Sequence, residues 1–197
     1  MKLILASGSA SRKHILEAVC VPFIAIPADI DEDRRKDELL AGGTQLERVA
    51  GALADTKALH VSRGWPGALV LGADQALLFE DDLVSKCADL AAARALLSRL
   101  RGKAHRLTSA LTLARDGTVH WRHTSNTVLH MRDFSDVFLD AYLSTEGAGI
   151  LGCVGCYKLE GLGAQLFESV EGDYFSILGL PLQPLLAELR RQGVIAT

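Results

Sequence analysis

Apolar residues form short continuous runs in some parts of the chain and helical stripes in others, a combination typical of α/β proteins. Leu3–Leu5 is a short apolar run that predicts a buried strand, and a helical pattern from about Ser11 to Val19 follows it. The run GALVLGADQALLF, at residues 67–79, predicts a longer buried strand. We therefore expect a mixed sheet flanked by helices rather than a regular doubly wound fold.

Polar residues at the ends of these runs predict where further elements begin and turn. Thr44 and Glu47 have the spacing of a capping box, which predicts the start of a helix. Asp89 is suited to cap an alanine-rich helix, and Ser135 to cap a short one. The Asp-Gly dipeptide at residues 116–117 predicts the tip of a β-hairpin.

Composition limits the class of protein. The 197-residue chain is 49% hydrophobic and 23% charged, with a formal net charge of −3, values typical of a globular protein with one domain or two small lobes. No extended basic patch is present, so we expect no nucleic-acid polymer as a partner. No stretch approaches the roughly 20 apolar residues of a membrane span, and the N-terminus lacks the pattern of a signal peptide. We therefore expect a cytoplasmic protein with no membrane partner.

The four cysteines include the spacing Cys153-x-x-Cys156, which occurs in metal and redox sites. The surrounding apolar, glycine-containing run predicts a strand. Residues three apart on a strand point to opposite faces, which does not suit chelation of one ion, and no second pair completes a zinc site. We therefore expect ordinary reduced cysteines.

Two positions suit the binding of a charged ligand. Ser9 and Arg12 lie where the first helix begins, and free N–H groups at a helix N-terminus attract phosphate together with a nearby guanidinium. A simple helix cap at Ser9 is the alternative. Asp74 ends the apolar run ALVLGA, and strand ends are where open α/β sheets bind ligands. A turn-forming aspartate is the alternative there.

Lys57 lies eleven residues after Leu46, a spacing that returns a helix to nearly the same face. The lysine therefore continues the apolar stripe and points toward the protein, although a lysine that snorkels at the helix end is the alternative. His105, at the start of a strand, is interpreted as a structural residue.

Three further charged residues are weaker candidates when taken singly. Glu32 lies in the charged stretch IDEDRR, Lys86 in LVSKCAD, and Glu160 at a predicted strand end before two glycines. A solvated charge run or a turn explains each equally simply. As a set with Asp74, Lys57 and Arg12, however, they suit a phosphate ester held on a divalent metal, because carboxylates bind the hard cation and cations neutralise phosphate.

These residues are also where the chain resembles the Maf family. Its opening, LILASGSASRKHIL, is similar to the family signature L-A-S-x-S-P-R-R-x-x-L-L, although the usual Pro-Arg is Ala10-Ser11 here. Other family motifs recur in order over nearly the whole chain, namely IDE, LGADQ, Lys86 in Ser85-Lys86-Cys87, GKAHRLTSA and LEGLGAQLFESVEGDYFSILGLPL.

The resemblance implies a two-lobed α/β fold like that of inosine triphosphate pyrophosphatases (Maf/Ham1), as a single Maf-like domain over residues 1–197 with the active site in a cleft between the lobes. It implies cleavage of non-standard or modified nucleoside triphosphates to monophosphate and pyrophosphate, as a house-cleaning reaction, with Mg²⁺ or Mn²⁺. A nucleotide-sensing or division-regulating binding protein with little turnover is the alternative function, and a homodimer is left open.

The resemblance also assigns roles residue by residue. Asp74 matches the proton acceptor, and Glu32 with Asp74 would hold the metal. Phosphate binding falls to Ser9 and Arg12, and the remaining catalytic cations are Lys57 and Lys86. The last group, which is linked to the choice of substrate, comprises Arg12, Gln75 and Glu160. Gln75 with Glu160 resembles the branch that prefers 7-methyl-GTP, and preference for dTTP or UTP, or broad specificity, is the alternative.

Overall fold

The computed structural model describes residues 2–196. The strands are β1 Leu3–Leu5, β2 Ile24–Ala25, β3 Leu69–Phe79, β4 Asp82–Val84, β5 Ala104–Arg115, β6 Thr118–Met131 and β7 Phe167–Glu171. The α-helices are α1 Ala10–Ala18, α2 Glu32–Ala41, α3 Val49–Arg63, α4 Leu90–Leu100, α5 Asp136–Glu146, α6 Tyr174–Ile177 and α7 Leu182–Arg191. Short 3₁₀ helices cover Leu46–Arg48, Gly147–Ile150 and Leu162–Leu166.

The strands form a mixed sheet in the order β2-β1-β3-β5-β6-β7, with β4 paired to β3. The pairings of β1 with β2 and β3 are parallel, whereas β3 with β4 and β6 with β7 are antiparallel. The predicted mixed α/β sheet flanked by helices is therefore confirmed. In the described part of the chain, no helix combines the length and the apolar character needed to cross a bilayer.

The chain divides into two compact units. The first comprises the residues up to Gln75, Ser109–Ser125 and the residues from Tyr174 onward; the second comprises Ala76–Thr108 and Asn126–Asp173. The position of the active site in a cleft between two lobes stays a prediction.

In the first unit, β1 and β3 are covered by apolar side chains on both faces, which explains why they read as continuous apolar runs. Alternate residues of β3 point to opposite sides of the sheet. Leu69, Leu71 and Ala73 belong to the larger core cluster, which also contains residues of α1 and α7. Val70 belongs to a second cluster with Val61 of α3.

Gly72 allows α3 to pack very closely against β3. A Cβ atom at this position would lie 2.2 Å from the carbonyl oxygen of Ala54 and 2.8 Å from the Cβ of Ala58. Both of these residues are fully buried. The missing side chain of Gly72 therefore sets the distance between the helix and the strand.

We expect Gly72→Ala to lower the free energy of unfolding by about 3 kcal/mol, at the upper end of the range for overpacking. Gly51→Ala is the matched control. Gly51 lies in α3, the helix that packs on Gly72, but nothing lies within 4 Å of its added Cβ. This substitution should raise the free energy of unfolding by about 0.5–1 kcal/mol. Urea denaturation measures both changes. Equal effects of the two substitutions would contradict the close packing described here.

Several predicted boundaries are confirmed. Ser9, Asp89 and Ser135 each cap a helix through a side-chain oxygen that accepts a backbone N–H. The hairpin tip lies at Asp116 and Gly117, both with positive φ. The capping box at residues 44–47 is wrong, since a 3₁₀ helix intervenes and α3 begins only at Val49.

The charged stretch at residues 30–40 is not only a solvated run, because it folds into helix α2. Helix α2 has no buried residues, so its sequence lacks the apolar stripe from which a helix can be predicted. Local interactions stabilise it instead. The side chain of Asp31 accepts the N–H of Arg34, and Arg34 pairs with Glu38 at 3.1 Å.

In the second unit, the predicted strand at the two cysteines is wrong. Residues 151–156 form successive turns and bends, with the N–H of Cys156 bonded to the carbonyl oxygen of Cys153 at 3.0 Å. Cys156 has a φ of 55°, a left-handed conformation that a strand does not accommodate. Both cysteines are free thiols. His105 is buried and lies 2.7 Å from the hydroxyl of Tyr157, which agrees with its interpretation as a structural residue.

Candidate active site

A buried lysine joins two carboxylates in the first unit. The ammonium nitrogen of Lys57 donates to Asp74 Oδ1 at 2.6 Å and to Glu32 Oε2 at 2.8 Å. The side chains of Lys57 and Asp74 are only 6% and 11% exposed, whereas that of Glu32 is 47% exposed. The lysine therefore joins an interior carboxylate to one that reaches solvent.

The periodicities of α3 and β3 bring this pair together. Lys57 lies three residues after Ala54 and four before Val61, so it shares the buried face of α3 with them. Asp74 lies two residues after Gly72 and therefore on the same side of β3. The prediction that Lys57 points inward is confirmed, and its part in catalysis stays a prediction.

The sequence predicted that Asp74 ends its strand. This prediction is wrong, because β3 continues to Phe79. After the half-buried Gln75, the strand is apolar and buried from Ala76 onward, and residues 77–79 pair with β4. Burial raises the pKa of Asp74, while Lys57 and Arg12 act in the opposite direction. The result is a carboxylate held by cations in a poorly hydrated position.

Arg12 lies almost fully buried at the start of α1. Its Nε donates to the carbonyl oxygen of Gly179 at 2.9 Å, and its Nη1 donates to the carbonyl oxygen of Ala73 at 2.9 Å and to Ser7 Oγ at 3.1 Å. Burial lowers the pKa of Arg12, while Asp74 and Glu32 act in the opposite direction. Three of its five N–H groups therefore bind protein oxygens.

Ser9 acts as the N-cap of α1, since its Oγ accepts the N–H of Arg12 at 3.4 Å. The N–H of Ser9 in turn donates to Ser7 Oγ at 3.2 Å. The cap alternative for Ser9 is thus correct, and phosphate binding by this residue stays a prediction.

Gln75 is held by its amide nitrogen. Nε2 lies 3.0 Å from the carbonyl oxygen of Ser176, 2.9 Å from that of Ile177 and 2.8 Å from Ser109 Oγ. Carbonyl oxygens only accept hydrogen bonds, so the amino group must face them and the amide cannot be flipped. Gln75 therefore has only its Oε1 acceptor left for any further partner.

Lys86 and Glu160 lie in the second unit. Lys86 follows β4 in an exposed loop. Glu160 is in a turn rather than at a strand end, and Gly163 after it allows close approach to the backbone of Lys158. Lys86 and Glu160 both act electrostatically on the thiol of Cys153, whose pKa is raised mainly by burial.

The metal prediction rests on two carboxylates. Among residues 2–196, no group of three or more His, Cys, Asp or Glu side chains is arranged to hold a metal ion. Glu32 and Asp74 nevertheless share one partner, Lys57. Mg²⁺ is commonly bound by one or two carboxylates together with substrate phosphates, so the assignment of a metal to Glu32 and Asp74 stays a prediction.

The residues that hydrogen-bond to the predicted site side chains were not predicted from the sequence. Ser7 stands in the serine-rich opening and Gly179 in the motif ILGLPL, so both were near a quoted signal. Ser109 and Ser176 also lie within quoted motifs, GKAHRLTSA and LEGLGAQLFESVEGDYFSILGLPL, but only the fold brings them into contact with Gln75.

Comparison with known proteins identifies the family. A sequence profile described as Maf-like protein matches residues 2–192. The chain belongs to the Maf family. It is 48% identical over 195 residues to a protein of Granulibacter bethesdensis named nucleoside triphosphate pyrophosphatase, with 99% of each chain covered.

Other Maf relatives carry a more specific name. A protein of Mesorhizobium japonicum named 7-methyl-GTP pyrophosphatase is 48% identical, with 98% of each chain covered. One of Brucella abortus with the same name is 46% identical, with 99% of this chain and 98% of that protein covered. A solved HAM1 protein from Coxiella burnetii has a TM-score of 0.44 and 16% identity, covering 68% of this chain and 74% of the other.

We expect Lys57→Met to lower the free energy of unfolding by about 3 kcal/mol, because it leaves the buried Asp74 without its ammonium partner. Arg94→Met is the matched control, since Arg94 also contacts two carboxylates, Asp140 and Asp136, but at the surface. It should cost less than about 1 kcal/mol. Chemical denaturation of both variants decides the matter, and similar losses would contradict a buried charge network.

Proposed function

We propose that this Maf protein hydrolyses nucleoside triphosphates to the monophosphate and pyrophosphate, and that it prefers 7-methyl-GTP. The buried contact of Lys57 with Asp74, beside Glu32, carries the proposal. Through this contact, the Asp74 carboxylate, whose pKa is raised by burial, lies against a cation. Perturbed pKa values cluster at functional sites, and proton transfer is one use of such carboxylates. The names of relatives that match this chain over 98–99% of its length support the same reaction.

In the proposed reaction, water attacks the α-phosphorus and pyrophosphate leaves. Asp74 accepts the proton from the water. Lys57 occupies Oδ1, and within residues 2–196 no hydrogen bond reaches Oδ2, which is therefore available to the water. A raised pKa brings the carboxylate closer to the range in which a general base is most effective.

The remaining charged residues would act on the phosphates. Arg12 retains the two N–H groups of Nη2, which have no hydrogen-bond partner in the described part of the chain. Lys86 is exposed and would contribute a second cation. Glu32 and Asp74 would hold a divalent cation, which when bound neutralises phosphate charge.

The choice of nucleotide base would depend on hydrogen-bond acceptors of the protein. Guanine presents two adjacent donors, N1–H and the 2-amino group, and methylation at N7 adds positive charge to the ring. An ionised Glu160 and the free Oε1 of Gln75 only accept hydrogen bonds. Uracil and thymine instead present one donor between two acceptor oxygens. Acceptor-only groups therefore favour a guanine-type base.

We expect the purified protein with Mg²⁺ or Mn²⁺ to release pyrophosphate and nucleoside monophosphate. Asp74→Asn should lower turnover by roughly 10²–10⁴-fold, because it removes the base while retaining the shape of the side chain. Separation of the products and a pyrophosphate-specific assay measure both effects.

Direct formation of orthophosphate and diphosphate would contradict attack at the α-phosphorus. Nucleotide binding without turnover over a broad panel would favour the sensing function instead. A folded Asp74→Asn variant with wild-type turnover would exclude Asp74 as the base.

We expect kcat/KM for 7-methyl-GTP to exceed that for UTP and TTP, and Glu160→Gln to narrow or reverse this preference. A bidentate contact to a base discriminates by about 1–3 kcal/mol, or roughly 5- to 150-fold. Glu168→Gln, an exposed glutamate in the same unit, is the matched control. A wild-type preference for UTP or TTP, or equal effects of the two variants, would refute the assignment.

A further inference from the structure

The segment Tyr174–Leu180 forms a compact turn that contains α6 and lies in the first unit. Three backbone bonds close it: the N–H of Leu178 to Tyr174 O at 3.3 Å, of Gly179 to Ser176 O at 3.0 Å, and of Leu180 to Phe175 O at 3.0 Å. We call this segment the 174–180 turn.

Two buried or half-buried side chains hold the 174–180 turn from outside. Gln75 donates to the carbonyl oxygens of Ser176 and Ile177 at 3.0 and 2.9 Å. Arg12 donates to the carbonyl oxygen of Gly179 at 2.9 Å. Each of these contacts satisfies a main-chain acceptor with a side-chain donor from a distant part of the chain.

The same two side chains also flank Asp74. Gln75 is the residue that follows Asp74 in β3, and the guanidinium of Arg12 donates to the carbonyl oxygen of Ala73, which precedes it, at 2.9 Å. Both neighbours of the proposed base are therefore tied to one turn. Displacement of this turn would be passed to the backbone of Asp74 from both sides.

We propose that the 174–180 turn positions Asp74, and that it acts through Arg12 and Gln75. The inference rests on the function proposed above. Arg12 donates three of its five N–H groups to protein oxygens and thereby ties the strand to the turn, while Nη2 is left for the proposed phosphate contact. A guanidinium suits this task because its donors lie in one rigid plane. A misplacement of a catalytic group by about 1 Å can lower the rate roughly 10²-fold.

Gly179 is where the turn and Arg12 come closest. Its φ is +84°, and an added Cβ would lie 3.2 Å from Nη2 and 3.3 Å from Nε of Arg12. A methyl group there would therefore press on the guanidinium. Gly193 offers a matched comparison, since its φ is +70° but nothing lies within 4 Å of its added Cβ.

The experiment compares Gly179→Ala with Gly193→Ala. Both carry the backbone strain of alanine at positive φ, but only the first displaces Arg12. We expect Gly179→Ala to lower kcat by about 10- to 100-fold with a smaller rise in KM, and Gly193→Ala to retain wild-type kinetics. A loss expressed mainly in KM would mean that the substitution acts on the phosphate contact proposed for Arg12 Nη2 and not on Asp74, and would overturn the proposal.

A double-mutant cycle tests whether Gly179 acts through Arg12. Arg12→Lys keeps the charge but cannot reproduce the planar set of donors. In that background we expect Gly179→Ala to lower kcat by less than about a further twofold, since the contact is already lost. Fully additive losses would overturn the proposed route through Arg12.

Hydrogen exchange supplies a readout that needs no activity. In Arg12→Lys, the amides of Leu178, Gly179 and Leu180 should exchange at least about tenfold faster than in the wild type. The amides of Gly193 and Val194, bonded to Arg190 O and Leu189 O, are the internal reference and should not change. Unchanged protection of the turn overturns the proposal even where Gly179→Ala does not fold. Faster exchange together with an inactive wild type refutes the proposed function alone.

Discussion

The ion pair between Lys57 and Asp74 is the interaction on which the candidate site depends. Two charges removed from water lose a large hydration free energy, and only a short, well-aligned contact offsets this loss. The 2.6 Å separation supplies that contact, and the close approach of α3 to β3 permits it. The packing at Gly72 is therefore part of the site, because it sets the distance between the element that carries the lysine and the strand that carries the aspartate.

Elements with a clear period were predictable from the sequence. The buried stripe of α3 extends over most of the helix and includes Lys57, which was therefore predicted to point inward even though Leu46, from which the spacing was counted, lies in the 3₁₀ helix Leu46–Arg48. The Asp-Gly dipeptide marked the tip of the hairpin. Helix α2 was not predictable in this way, because capping and surface ion pairs stabilise it without a buried stripe. The turns around Cys153 were missed because a glycine-containing apolar run has the same composition in a strand as in a series of tight turns.

The site was only half predictable for a different reason. Residue type predicts phosphate chemistry for a set that includes Arg12, Glu32, Lys57 and Asp74, and the resemblance to Maf proteins supports the same prediction. Residue type cannot indicate which donors are already occupied. The contacts of Arg12 with Gly179 and of Gln75 with Ser176 join positions more than a hundred and fifty residues and about a hundred residues apart, so only the fold reveals that both side chains are largely committed to protein oxygens.

The net charge of the buried site residues determines the electrostatic environment that a triphosphate would meet. Lys57 and Arg12 together carry as much positive charge as Glu32 and Asp74 carry negative charge, so the four residues are neutral as a group. A nucleoside triphosphate brings several negative charges, and phosphoryl transfer depends on their neutralisation. Further positive charge must therefore come from outside the group. The divalent cation proposed at Glu32 and Asp74, or an additional lysine such as Lys86, would provide it, whereas the buried Lys57 is better suited to hold the proposed proton acceptor Asp74 in place than to bind the substrate.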